Sequence, residues 1–471
     1  MKYGLSDAQF DELIQILAAY PEIEAAVLFG SRALGTYKEA SDVDIALKGA
    51  KVTAALAAKL KYHLEEETYQ PFFYDFVAFP TITNEALKEH INSKGISVFR
   101  RGWREVALGE VILSANTGLD AIKRAPIVNF DSGLKCLRIQ DVSQQKKYEE
   151  WGFTEVEHRN YQKFRLREND ILIARTGASI GVNLYINEDI KAVFNNGLIR
   201  LRAKKEICDP KYLFLNLRTA EYKSFIESIS GGTSTQPNMQ INALLSYEIF
   251  IPPLPEQKAI ASVLSSLGDK IELLHRQNKS LEAMAETLFR QWFVEEAREE
   301  WENGKIEDLF ILQRGFDLPV QKRLSGSHPI FAASGLGGYH NESKVKAPGV
   351  TTGRSGLLGK VFYIMEDFWP LNTSLFIKEF KAATPLFSYF YLKNIDLESF
   401  NAGSAVPTLN RNHVHEYNIL IPPEVLINQF EELMAPVFHK IHYNRHQIQT
   451  LEKLRDTLLP KLMSGEVRVS F

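Results

Sequence analysis

Ile251-Pro252-Pro253-Leu254-Pro255-Glu256 stands immediately before one long amphipathic stretch, and Ile421-Pro422-Pro423-Glu424 stands before another, 170 residues downstream. The same spacing carries Leu281-Glu282 onto Leu451-Glu452 and Thr287-Leu288 onto Thr457-Leu458. Proline fixes its own φ and lacks an N–H, so a Pro-Pro pair suits the point where a strand ends and a helix begins. A register kept without a gap over about forty residues marks an internal repeat. Two copies of one unit in one chain imply a two-fold molecule that meets a partner with two related halves.

The repeat extends upstream. Arg175-Thr176-Gly177-Ala178-Ser179-Ile180-Gly181 returns as Arg354-Ser355-Gly356-Leu357-Leu358-Gly359, one residue shorter. Asn196 and Asn372 follow in extended stretches, and the turns Gly231-Gly232-Thr233-Ser234 and Ala402-Gly403-Ser404 precede the Pro-Pro pairs. Each unit therefore reads as a β-rich, loop-rich globule followed by one long helix, with Trp103 and Trp301 near the two starts.

The chain has 471 residues, which predicts about three domains at ~150 residues each. It has no apolar run of about 18 residues that would span a membrane, and its start has no signal-peptide pattern. Only Cys136 and Cys208 occur, without metal-ligand spacing, so a reducing cytoplasm is the expected setting. Residues 1–103 carry 11 Lys/Arg against 14 Asp/Glu, whereas residues 104–250 carry 20 against 18 and 301–423 carry 12 against 11. The globules are slightly basic, which agrees with DNA contact and equally with ordinary solvated surface.

In the first helix, apolar positions fall at Ile260, Leu264, Leu267, Ile271, Leu274, Leu281, Ala285, Leu288 and Trp292, with Asn278 in the same seam. In the second they fall at Phe430, Met434, Val437, Ile441, Ile448, Leu451, Leu458 and Leu462, with Asn444 and Arg455 in line. Steps of four and three are the heptad pattern of a coiled coil. If Asn278 faces Asn444 in an antiparallel pair, Leu274 meets Ile448, Leu281 meets Ile441, Ile271 meets Leu451, Ala285 meets Val437 and Leu267 meets Arg455. Two buried amides satisfy each other, whereas one against Leu costs roughly 1–3 kcal/mol, so Asn278 and Asn444 are the candidate register residues. Pro436 is expected to kink or interrupt the second helix and Pro460 to mark its frayed end. A helix from Glu256 to about Trp292 is about 55 Å long, against ~34–36 Å for one turn of DNA.

With these motifs together, residues 104–471 resemble the specificity (S) subunit of a type I restriction-modification system. The motifs that carry the resemblance are Arg175 to Gly181, Arg354 to Gly359, and the Pro-Pro segments Ile251–Gln257 and Ile421–Glu424. The second copy lacks the Leu-Pro-Glu-Gln that follows the first Pro-Pro pair. The resemblance implies two target-recognition domains that each read half of a bipartite double-stranded DNA site. It also implies helical spacers that separate them and dock DNA methyltransferase subunits, with restriction/translocase subunits joining the complex. No Asn-Pro-Pro-aromatic or GxxxxGK[ST] motif is present, which suits a subunit that reads DNA while others act on it. Side chains able to read base edges or phosphates are Lys135, Arg138, Gln140, Lys146, Lys147, Arg159, Lys163 and Arg165 in the first globule, and Arg314, Lys322, Arg323, Lys344 and Lys346 in the second.

The front of the chain differs. A helix over Asp7 to Ala19 precedes a strand, Glu24 to Phe29, that ends in Gly30-Ser31-Arg32. Asp42-Val43-Asp44 opens a second strand, and Asp75 lies in a third, Phe72 to Val77. Asp42 and Asp44, two apart on a strand, share a face. Paired carboxylates there can hold Mg²⁺, which bridges nucleotide phosphates. Gly30 and Ser31 can present N–H and hydroxyl donors to those phosphates, with Arg32 beside them. A GS turn, a DxD and a strand Asp at this spacing resemble the minimal nucleotidyltransferase domains related to polymerase β. The resemblance implies Asp42, Asp44 and Asp75 as metal-binding and catalytic residues, and Mg²⁺ with a nucleoside triphosphate as cofactors. The Glu65-Glu66-Glu67 run reads as a solvated helix face, and His63 has no evident partner.

The expected fold is an α+β multidomain chain. An α/β nucleotidyltransferase-like domain (1–102) precedes two β-rich target-recognition domains (103–250 and 299–421), separated by two long helices (251–298 and 422–471) that form an antiparallel coiled coil. The expected function is DNA sequence recognition in a type I complex involved in phage defence. The alternative is a nucleotidyltransferase that modifies a partner protein or RNA and uses the tandem domains for targeting.

Overall fold

The computed structural model describes residues 2–38, 40–230, 238–401 and 407–469. It forms two compact units: Met1–Gly268 with Lys453–Phe471, and Asp269–Glu452. The turns Gly231–Ser234 and Ala402–Ser404 lie outside the described residues.

In the first unit, α1 (Asp7–Ala19) starts at Ser6, whose hydroxyl accepts from Gln9 N while the Gln9 side chain accepts from Ser6 N. This reciprocal cap satisfies two donors that a helix start leaves unpaired. The fully buried β1 (Ala25–Phe29) pairs antiparallel with β2 (Val43–Lys48). Helix α2 (Ala54–Glu66) then leads to β3 (Tyr74–Ala78), parallel to β2, and α3 (Glu85–Lys94) leads to β4 (Ile96–Arg100). The sheet order is β3-β2-β1-β4. Leu13 and Leu17 of α1, Leu60 and Leu64 of α2, and Ile45 and Leu47 of β2 share one core. Two side chains on α2 do more than expected. Glu65 accepts from Tyr74 N at 2.9 Å, fixing the start of β3, and His63 Nδ1 lies 3.1 Å from the Tyr20 hydroxyl.

The first globule follows with β5 (Ile112–Thr117), β6 (Ile171–Ala174), β7 (Asn183–Tyr185) and β8 (Leu198–Ala203). These make an antiparallel sheet of order β7-β6-β8-β5. A second sheet contains a parallel pair, Ala192–Phe194 with Lys135–Leu137. Strand Glu248–Ile251 closes the globule against Arg104–Ala107, and the Pro-Pro pair turns the chain into α4 (Leu254–Arg290).

The second unit repeats this plan. Strands β9 (Phe310–Arg314), β10 (Gly349–Gly353), β11 (Val361–Ile364) and β12 (Ser374–Phe380) make an antiparallel sheet of order β11-β10-β12-β9. A parallel pair, His328–Ala332 with Trp369–Pro370, again belongs to a second sheet, and Glu302–Lys305 pairs with Asn418–Ile421 before α5 (Glu424–Met463).

The seam between α4 and α5 follows the heptads. In the second unit, Asn444 Nδ2 donates to Asn278 Oδ1 at 2.8 Å, and Ile271, Leu274, Ile448 and Leu451 form one apolar cluster beside it. In the first unit, Ile260 and Leu264 share a core with Leu458 and Leu462. Arg455 turns its Nε to Asp456, 2.9 Å away.

Three details differ from expectation. Helix α5 runs through Pro436 and Pro460 to Met463. Pro436 is exposed, as is Glu432 one turn earlier, so the carbonyl that loses its N–H partner can turn to water. At the other end, Leu462 and Met463 are buried and hold the last turn. Third, Phe289, Phe293 and Phe438 are buried, while their seam neighbours Leu288, Trp292 and Val437 are half-buried. A 3.6-residue helix drifts about 20° per heptad relative to a 3.5 repeat, and the Phe289–Phe293–Phe387–Phe390–Phe430 cluster takes up the drift.

The N-terminal domain is docked within the first unit. Arg100 lies over the Trp103 and Phe250 rings and donates to Met463 O at 2.8 Å, and burial pulls its pKa down to about 10. Lys2 pairs with Glu105 and Glu248 at 2.8 and 3.3 Å. Arg468 grips the buried Glu256 carboxylate with two hydrogen bonds, at 2.9 and 2.6 Å. A Cβ on Gly465 would stand 3.5 Å from the Trp103 ring.

Candidate functional site

The N-terminal sheet gathers the acidic residues by register. Asp44 on β2 lies opposite Phe29 on β1 and beside Asp75 on β3. Neighbours in register share a face, so the two carboxylates project together. Asp42, directly before β2, is exposed, as is Asp75, while Asp44 is half-buried. Desolvation first, then the negative charges of Asp75 and Asp42, push the Asp44 carboxyl above its ordinary value, and Arg32 partly opposes them. The oxygens of the three residues do not all lie within 4.8 Å of one another.

The turn after β1 is shaped around Asp44. Gly30 has φ +72°, and a Cβ there would stand 2.3 Å from Asp44 Oδ2. Only glycine combines this backbone with such an approach. The single helical turn Gly30–Ala33 then places Ser31 at its first turn, half-buried. Arg32 corrects the expectation of a phosphate contact. It is 2 % exposed and donates to Ser41 O, Asp42 O and Tyr3 O, with its guanidinium over Phe72. The sequence shows the charge but not its direction, and here the guanidinium holds the loop that delivers Asp42.

In the first globule several candidate DNA contacts point inward. Lys135 is 8 % exposed, and its ammonium donates to Glu149 O and Trp151 O above the Phe153 ring. Arg138, half-buried, donates to Ala125 O. Lys146 lies 3.5 Å from the buried Asp141. Half-buried Arg165 offers its carbonyl to Arg200. Gln140, Lys147, Arg159 and Lys163 are exposed. In the second globule Arg314 and Lys322 are exposed, Lys344 lies over the Trp369 ring, and Lys346 bonds Asp367 at 2.6 Å. Arg323 is turned toward Leu318 O and Gly337 O. Lys135, Arg138 and Arg323 thus spend donors on backbone carbonyls, as a cation drawn partly or wholly out of water requires.

The repeated Gly loops are built alike. Arg175 N donates to Gly197 O and Met239 N to Arg175 O; Arg354 N donates to Thr373 O and Leu409 N to Arg354 O. Thr176 bridges Asn238 and Ser355 bridges Thr408. Gly177, Gly181, Gly356 and Gly359 all have positive φ.

Comparison with known proteins agrees with this duplication. A family described as type I restriction modification DNA specificity domain matches residues 100–283 and 298–452, and one described as polymerase beta, nucleotidyltransferase matches residues 11–102. The type I restriction enzyme MjaIX specificity subunit of Methanocaldococcus jannaschii is 27 % identical over 303 residues, covering 55 % of this chain and 69 % of that protein. The MjaVIII specificity subunit of the same organism is 30 % identical over 164 residues, 32 % of this chain and 37 % of the relative. A type I restriction-modification S subunit structure from M. genitalium superposes with TM-score 0.57 at 18 % identity, over 76 % of this chain and 96 % of that one.

Proposed function

Because the chain belongs to the type I restriction-modification DNA specificity family, we infer that it is the DNA sequence-specificity subunit of a type I complex, carrying an added nucleotidyltransferase-like domain. Its two β-rich globules, 103–250 and 299–421, are the target-recognition domains, and each reads one half of a bipartite duplex site. The observation that carries this reading is the duplicated sheet order, with the same hydrogen bonds around Arg175 and Arg354. Gln140, Lys147, Arg159 and Lys163 in one domain, and Arg314, Lys322, Lys344 and Lys346 in the other, are the exposed side chains that would meet base edges and phosphates. The paired helices, with Asn278 and Asn444 fixing their register, serve as spacers and as the docking surface for methyltransferase and restriction/translocase subunits. The test is to replace residues 104–250 with the same region of another specificity subunit and sequence the methylome. One half of the methylated site should change; if both halves or neither change, the modular reading falls.

The N-terminal residues fit a metal–nucleotide pair. The Gly30 cradle against Asp44 leaves room that a side chain would fill, and the three Asp residues supply the hard oxygen donors that Mg²⁺ prefers. Asp42, Asp44 and Asp75 would hold the metal, while Gly30 and Ser31 would meet the phosphates. Bound Mg²⁺ would neutralise phosphate charge. Arg32 orients the Asp42 segment without reaching the nucleotide. Calorimetry with ATP and Mg²⁺ should give binding in the intact chain that Asp44→Asn abolishes, with DNA recognition retained. An intact chain that takes up no ATP would leave the domain as a docking module only.

A further inference from the structure

Away from the N-terminal carboxylates and from the exposed side chains proposed to meet DNA, three ligating side chains converge in the second unit. Glu366 follows β11 in the second target-recognition domain, and His442 and His446 sit one turn apart on α5. Residues four apart share a helix face. His442 Nε2 lies 3.0 Å from His446 Nε2, and Glu366 Oε1 lies 3.1 Å from His446 Nε2 and 3.9 Å from His442 Nε2. The imidazole rings are nearly perpendicular, at 88°. Among the described residues this is the one group of three or more His, Cys, Asp or Glu side chains whose donor atoms all lie within 4.8 Å of one another.

The spacing matches a tetrahedral centre. Zinc bound at about 2.0–2.1 Å to nitrogen and oxygen sets its ligand atoms roughly 3.3 Å apart, and the three observed separations bracket that value. Without a cation, two ring nitrogens aimed at each other can share one proton at most, and the carboxylate meets only one of them well. Two imidazoles and one carboxylate favour zinc-like transition metals over Mg²⁺ or Ca²⁺, whose preferred donors are oxygens. The side chains are 30 % (His442), 52 % (His446) and 36 % (Glu366) exposed, so an ion has access and a fourth position stays open to water.

We propose that Glu366, His442 and His446 form a divalent transition-metal site, with Zn²⁺ as the fitting ion, that staples the segment after β11 to the second spacer helix. The site flanks Asn444 on the same helix. Metal binding therefore stiffens a recognition domain against the helix that carries Asn444, one of the two register amides. No bond is made or broken beyond coordination, and the inference does not depend on what the N-terminal domain binds.

The experiment uses the full chain, untagged and stripped of metal, with Mg²⁺ in excess to occupy the N-terminal carboxylates. Zn²⁺ calorimetry should show one ion per chain, and Co²⁺ should give the strong visible absorption of a tetrahedral centre. His446→Ala and Glu366→Gln should each weaken Zn²⁺ binding by more than about tenfold and remove the Co²⁺ band. His439→Ala, an exposed histidine on the same helix, should leave both unchanged. Amide exchange over residues 364–368 should slow on adding Zn²⁺ to the parent chain and not to Glu366→Gln. No stoichiometric Zn²⁺, or undiminished affinity in His446→Ala, overturns the site; undiminished affinity in Glu366→Gln overturns the staple.

Discussion

At the scale of single residues, the N-terminal site rests on Gly30 and Asp44. Gly30→Ala adds a Cβ at φ +72° directly against the Asp44 carboxylate. It should cost about 1–2 kcal/mol and eliminate ATP binding, measured by thermal unfolding and calorimetry on the same protein. Asp44 should also leave a pH signature. Its carboxyl is raised in the folded state by burial and by Asp75 and Asp42, so its ionisation opposes folding as pH rises through that raised value. In chelator, Asp44→Asn should therefore unfold at a slightly higher temperature than the parent at pH 7. The gap should close as the pH falls below the ordinary Asp range, and excess Mg²⁺ should reverse its sign. Which residues surround this site was legible because a strand alternates with period two and Gly is a marked residue. What Arg32 and Lys135 do was not. Sequence shows a charge, and only packing shows whether it faces water or a row of carbonyls.

At the scale of elements, the coiled coil was the most readable part of the chain, since heptads state their own partners. The Asn278–Asn444 hydrogen bond is buried, so Asn278→Leu should destabilise by roughly 1–3 kcal/mol by stranding the Asn444 amide. The double change with Asn444→Leu should recover most of that loss while relaxing register, a coupling that a double-mutant cycle in urea reads directly. Cysteines at Leu281 and Ile441 should oxidise to a disulfide readily, and cysteines at Leu281 and Leu451 should not; equal rates would mean the helices slide. Less readable were the places where tertiary packing overrode local rules. Pro436 sits inside an unbroken helix because its exposed side can be hydrated, and aromatic packing shifts burial from Val437 to Phe438. The His442–His446 spacing stood in plain view, yet its third member, Glu366, is 76 residues away, and only the fold unites them.

At the scale of the molecule, duplication was visible in two proline pairs and two glycine loops, while the attachment of the front domain was not, because it depends on side chains far apart in sequence. The C-terminal tail is held in the same way by a distant partner: Arg468 neutralises the buried Glu256 at the start of α4. Arg468→Ala should cost of order 3 kcal/mol by leaving that carboxylate unpaired. Limited proteolysis should then nick the C-terminal tail earlier, with cutting of residues 269–452 unchanged. The same neighbourhood holds Gly465 against Trp103, so the specificity region begins and ends at one spot. A short linker across that join, with new termini opened in the 295–300 connection, would encode the same contacts in another order, and the front domain could be spliced to the tail instead of the head.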